Sequence, residues 1–467
     1  MSTDVDTAAQ AKGPKISKGV IAQFLRTNCR RQLYLSIHAP LRDKPLYDQL
    51  GIPPAAKWRP GLVSLTRSGR NLEDERFDEL SIAFPDCLTN FKTTQGHTKG
   101  RNTALREMLS LGVGVPHLLI EGEFQSSALT NTFYDAIGIA PEVACTLPRL
   151  ADLRPDIILA VTPNSAFLSE RRPRQVRRDG STEAIPLDDQ RTWLIPIDIK
   201  RSEALNASYA IEVALYSILL ALWLEETGLS DRYLVIDKPA LWMLDPPGAK
   251  PLEELRSIPT DLRIAALLQR VEVVEFDQYV VSMRKIFRDD VVAVTAVPKW
   301  SELEPHVGPY CGMCDFYANP DWAPKDKITG QKESVHPEHC SVKVRDLDHL
   351  SRIPDVSRGM ARTLIDDHVH SVTLLAGRLP EDPVFGKHNR LAAERRLLPQ
   401  RATHLLAGTR GPTGRQCATL PRYSHLSAYI FVNFDAATGF TTGFSVFGNY
   451  RPPSSRSRLR TLGRGVG

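Results

Sequence analysis

At 467 residues, with 42% hydrophobic and 24% charged side chains, the chain has the length for two or three domains and the balance of a globular protein rather than a disordered or fibrous one. A net charge of +5 is mild and gives no strong bias toward nucleic acid by itself. The polar N-terminus lacks the apolar core of a secretory signal, and the longest apolar run, "YAIEVALYSILLALWL", contains Glu212 and is short for a membrane span, so a cytoplasmic protein is expected.

Residues 1–15 read as a flexible tail, and "KGVIAQFLRTNCRRQLYLSIH" (18–38) has apolar residues at helical spacing. "LTRSGRNLEDERFDELSIAFP" (65–85) predicts a helix followed by a short strand. "VPHLLIEGEFQ", "DLRPDIILAVTP" and "TWLIPIDIKRS" predict three strands. A long apolar helix over 203–228 follows, then a further strand in "RYLVIDKPALWML". Strands, a long helix and another strand predict an α/β fold of the α+β type, with a mixed sheet flanked by helices.

Within these strands, "IPIDIK" puts Asp198 and Lys200 on one strand face in apolar surroundings, where charge is costly unless paired or bound to metal. Asp156 opens the preceding strand. If the two strands pair, both carboxylates meet at one end of the sheet. Two carboxylates and a main-chain carbonyl, that of Ile199, make a hard oxygen site suited to Mg²⁺ or Mn²⁺. Such an ion polarises a phosphodiester and acidifies an attacking water, while Lys200 stabilises the developing charge. Glu121 and Glu123 in "LLIEGEF" are further strand carboxylates. Between the strands, "ERRPRQVRRDG" (170–180) groups Arg171, Arg172, Arg174, Arg177 and Arg178 in a loop expected to project toward a phosphate-bearing substrate.

Seven cysteines, an odd number in an apparently cytosolic chain, argue for metal or cluster ligation over a disulfide framework. Cys311 and Cys314 form a CxxC pair with Cys340 downstream; alone, this fits a zinc knuckle completed by His336 or His339. Cys87, Cys145 and Cys417 have no pattern.

Together, PD at 155–156 and DIK at 198–200 resemble the PD-(D/E)xK, or restriction-endonuclease-like, nuclease superfamily, most closely its RecB-like branch. That resemblance implies a further metal ligand at Glu73, four residues after Gly69. It also implies a role for Tyr216 on the helix after the lysine, where Glu212 replaces the usual Gln. "FLRTNCRRQLYL" resembles the segment opening many RecB-like and CRISPR-associated exonucleases. By that likeness, Cys29, Cys311, Cys314 and Cys340 would hold a [4Fe–4S] cluster, with Zn²⁺ as the alternative. The resemblance spans roughly 18–345 and sets the expected nuclease domain at 16–340.

Beyond it, "LDHLSRIPDVSRGMARTLIDDHVHSVTLLA" resembles a helix–hairpin–helix unit within a module at 341–400, with Asp355 where Gly is usual. Residues 401–467 hold two alternating strands and a basic tail; the strands are similar to the first hairpin of a ribonuclease-H-like domain, with Asn433 in place of an acid. The implied function is a divalent-metal-dependent DNA nuclease acting on single-stranded ends or flaps, in DNA repair or foreign-DNA defence. A helicase would be supplied by another chain, since no GxxxxGK[ST] motif is present. The alternative is a catalytically inactive DNA-binding or scaffold subunit that keeps the fold and the cluster.

Overall fold

The computed structural model describes residues 14–38, 44–56, 62–92, 100–163, 172–245, 251–318, 323, 325, 327–332, 334–411, 426–434, 441–450 and 460–462. The expected tail lies outside these up to residue 13, and Lys15 already belongs to a strand. The chain divides into two compact units: residues 1–54 with 69–305, and 55–68 with 306–467. The boundary expected at 340 therefore falls inside the second unit.

The first unit is built on a seven-stranded mixed sheet, as the alternation of strands and helices predicts. Its strands are β2 (Leu88–Asn90), β3 (His117–Ile120), β5 (Ile157–Val161), β8 (Thr192–Ile199), β9 (Tyr233–Val235), β10 (Ala240–Trp242) and β11 (Glu272–Val273). Two short strands stand apart from it: β1 (Lys15–Ile16) pairs in parallel with β4 (Arg149–Leu150). A hairpin of β6 (Arg174–Val176) and β7 (Thr182–Ala184) forms the connection between β5 and β8. The single strand expected over 232–244 is two, β9 and β10, both parallel to β8.

The β-rich composition of β5 and β8 suits strands buried on both faces. They pair antiparallel with Ile157 opposite Ile197 and Val161 opposite Trp193. Odd-numbered residues of both strands enter a core with Leu72, Phe77 and Leu80 of the helix Leu62–Ala83. Even-numbered residues, Asp156, Asp198 and Lys200 among them, take the opposite face by the period of two.

That opposite face is covered by the helix Ala207–Glu226. In chain order the helices used below are α1 (Lys18–Thr27), α2 (Arg30–His38), α3 (Leu62–Ala83), α4 (Arg101–Leu111) and α5 (Ala207–Glu226). Helix α5 starts at Asn206, whose side chain accepts from the Ser208 N–H at 2.9 Å, an ordinary N-cap. Its 20 residues, mean hydropathy 1.7 over the most apolar window, do meet the length and composition of a membrane span, contrary to the sequence expectation. With 89% of that window buried in the protein, α5 is a core helix. The helical spacing over 18–38 is realised as two helices, α1 and α2, separated where Asn28 adopts a left-handed conformation, φ 46°.

In the second unit, short helices surround a core of Leu350, Ile353, Met360, Leu364, Val372 and Leu398. The expected turn over 353–357 is flanked by a single 3-10 turn (Leu350–Arg352) and by helix α6 (Arg358–Asp366), capped by Ser357; α7 (Val372–Ala376), capped by Ser371, follows. Asp355 has φ 70°, the left-handed conformation that explains why glycine is favoured in such a turn. The two C-terminal strands are present as β12 (Leu426–Phe434) and β13 (Thr441–Tyr450), joined by β14 (Arg460–Leu462) in a three-stranded sheet. Asn433 pairs with Gly443, and Asp435 and Cys417 lie outside the described residues.

Candidate active site

The antiparallel register of β5 and β8 brings Asp156 and Asp198 to one end of the sheet, as the strand pattern predicts. The Ile199 N–H donates to Asp156 Oδ2 at 2.6 Å, so the backbone of one strand holds the carboxylate of the other. Asp198 is fully buried and lies between two ammonium groups. Lys200 Nζ contacts its Oδ2, and Lys18 Nζ donates to its Oδ1 at 2.8 Å. Lys200 Nζ also donates to Glu212 Oε2 at 2.9 Å, and Lys18 Nζ lies 3.5 Å from the same oxygen.

Lys18 is the site residue that the sequence did not reveal. It is 180 positions from Asp198 and sits in no motif. Its place is fixed by β1: Ile16 pairs with Leu150, and the Ala151 N–H donates to the Ile16 carbonyl at 2.8 Å. The stretch that anchors the N-terminal segment thus runs on, six residues later, to Asp156.

Burial pushes the Asp156 carboxyl well above the usual range, and the adjacent Asp198 charge adds to it. Burial pulls Asp198 the same way, but Lys18 and Lys200 more than offset it and hold the group below the usual range. The two lysines are raised despite burial, because Asp198 and Glu212 stabilise their charged forms. Glu73 on α3 is half-buried and shifted upward, first by burial and then by the charge of Asp198. Glu121 is buried, with φ 52°, and is paired with Arg101 of α4 at 2.8 Å and Arg154 at 3.7 Å. Its N–H donates to the Asp156 carbonyl at 2.9 Å, while Glu123 is half-buried.

Tyr216 is fully buried on α5, under the Lys18 ammonium at 4.7 Å from the ring centre. Burial raises its phenol well above the usual value, so it is a neutral donor, and it donates to the Arg154 carbonyl at 2.8 Å. It thereby braces the Arg154–Asp156 segment. Tyr216→Phe is expected to leave that carbonyl unpaired and to destabilise the protein by about 1–2 kcal/mol, measured by denaturant unfolding.

Glu73, Asp156 and Asp198 with the Ile199 carbonyl are a hard oxygen donor set, and the raised Asp156 marks buried like charges that a divalent cation relieves. The chemistry of the donors fits Mg²⁺ or Mn²⁺. As they stand, Lys18 and Lys200 engage the Asp198 oxygens, and among the described residues no three His, Cys, Asp or Glu side chains are grouped to hold an ion.

The arginine segment is not where its sequence position suggested. An antiparallel pair places its connection at the end away from Asp156 and Asp198, five residues of β5 distant, roughly 17 Å at about 3.3 Å per residue. The segment is also ordered by its own contacts. Arg172 donates to the Pro186 carbonyl at 3.1 Å, and the Arg174 N–H donates to Asp237 at 2.8 Å. Arg177 pairs with Glu183, and Arg178 lies 4.0 Å from Glu225. Gly180, φ 77°, turns the hairpin where a Cβ would meet Ile218 of α5 at 2.7 Å. Arg171 lies outside the described residues.

Cys29 follows the α1–α2 break in the first unit, and Cys311, Cys314 and Cys340 belong to the second. Cys311 and Cys314 share one turn, the Cys314 N–H donating to the Cys311 carbonyl at 3.0 Å. The Cys340 N–H donates to the Phe316 carbonyl at 3.1 Å, so the long interval in sequence closes to a neighbouring backbone. His339 precedes it, its Nδ1 accepting from the His336 N–H at 3.1 Å.

Comparison with protein-family models, curated proteins and solved structures gives no match for this chain.

Proposed function

We propose that the protein is a divalent-metal-dependent DNA nuclease of the restriction-endonuclease-like, RecB-like type, acting on single-stranded ends or flaps. The observation that carries this reading is the convergence of Asp156, Asp198 and Lys200 at one sheet end, with Glu73 electrostatically coupled to them. Glu73, Asp156 and Asp198 would hold Mg²⁺ or Mn²⁺, with the Ile199 carbonyl assisting. A bound ion there supplies Lewis acidity and an acidified water for phosphodiester hydrolysis.

The chain's own part is positioning and charge. Ile199 N–H and the Tyr216–Arg154 contact fix Asp156, and Lys200 carries a persistent positive charge to the place where negative charge grows on the phosphate. Cys29, Cys311, Cys314 and Cys340 are proposed to bind a [4Fe–4S] cluster with a structural role, or zinc in its place. The turn over 353–357 that leads into α6, with Asp355 in the glycine-favouring conformation, is proposed as an accessory phosphate-binding element.

The test is cleavage of single-stranded and flap DNA with Mg²⁺ or Mn²⁺. Wild type is expected to cut, and Lys200→Ala to lose about 10²–10³-fold in single-turnover rate. No cleavage by wild type, or equal cleavage by Lys200→Ala, would overturn the reading in favour of a non-catalytic DNA-binding subunit.

A further inference from the structure

Four side chains form a closed ring of alternating charge: Lys18 to Asp198 at 2.8 Å, Asp198 to Lys200 in contact, Lys200 to Glu212 at 2.9 Å, and Glu212 back to Lys18 at 3.5 Å. Two ammonium groups and two carboxylates make the ring neutral, while Asp156 and Glu73 lie outside it. Glu121 has its own partner in Arg101. The members come from three distant places in sequence: the start of α1, the end of β8 and the second turn of α5. A carboxylate on a buried apolar helix is costly alone, and a second ammonium beside Asp198 and Lys200 would be repelled alone. Each offsets the other.

We propose that Lys18 is a positioning residue of this site, and that Glu212 is its obligate counter-charge. The pair fixes Asp198 and Lys200 without changing the net charge presented to a bound cation. Glu212 is then a matched component of the site rather than a defect in it. Lys18 also acts as a clamp, because β1 ties it to the segment that leads to Asp156.

The inference rests on the proposed metal site for its binding readout and stands independently of it for its stability readout. The experiment compares wild type with Lys18→Met, Glu212→Gln and the double variant, by Mn²⁺ titration calorimetry and by thermal melting. Removing the ammonium alone adds net negative charge, so Lys18→Met is expected to bind Mn²⁺ about tenfold more tightly. Glu212→Gln is expected to bind about tenfold more weakly, and the double variant to return near wild type. Both single variants should melt below the double variant, since each leaves an uncompensated charge. Mn²⁺ shifts of the same sign, or none, would overturn the pairing. If wild type binds no Mn²⁺, the nuclease reading fails, and melting decides the ring: a double variant above both singles supports it, additive losses refute it.

Discussion

Asp198→Ala is expected to lower DNA cleavage by about 10³-fold or more and to destabilise the protein by about 3 kcal/mol. The activity loss follows because Asp198 is both a proposed cation ligand and the anchor of Lys200. The stability loss follows because Lys18 and Lys200 then face one another with only Glu212 between them. The Asp198 carboxyl is held below its ordinary value by these lysines, against the pull of burial. A depressed acid stabilises the fold fully above its ordinary pKa, near 4, and loses that contribution as pH falls through the folded value. The stability gap between wild type and Asp198→Ala should therefore be widest at neutral pH and shrink in strong acid. Denaturant unfolding of both proteins across pH 2–7, with single-turnover cleavage at neutral pH, checks both parts. A gap that grows in acid would contradict the pairing.

Asp156→Asn is expected to have opposite effects on stability and function. Burial and the neighbouring Asp198 raise the Asp156 carboxyl, so its ionised form strains the folded state. For a raised acid, the favourable contribution is complete below the ordinary pKa and is lost as pH rises through the folded value. The amide removes that strain and still accepts from the Ile199 N–H. At neutral pH the variant should gain about 1 kcal/mol, or roughly 2–4 °C in melting temperature. The gain should fade toward acid pH, where wild-type Asp156 is protonated. Mn²⁺ binding should weaken by about 100-fold. Calorimetric melting and Mn²⁺ titration on the same preparations measure both effects. A variant that is less stable at neutral pH would show Asp156 to be an ordinary structural acceptor.

Much of the site was legible because strands carry their own grammar. The period of two in "IPIDIK" puts Asp198 and Lys200 on one face, and Pro155–Asp156 marks the start of its antiparallel neighbour. Tyr216 and Glu212, four apart on α5, share one helix face by the same kind of local rule. The CxxC turn was also readable, since it depends on short-range geometry. The arginine cluster misled for a physical reason: nearness in sequence to two acid-bearing strands does not say at which end of the pair their connection emerges.

The sequence by itself determined the strand faces, the long apolar helix and the identity of the strand-borne acids. These follow from side-chain period, from apolar content and from the cost of burying a lone charge. Only the tertiary structure decided that Lys18 enters the site, because a two-strand pairing with Leu150 carries it there across 180 residues. It alone gave Glu212 two partners, and it alone placed the Arg172–Arg178 hairpin at the far end of β5. Ion pairs are selected by distance in space, which leaves no periodic trace in the chain.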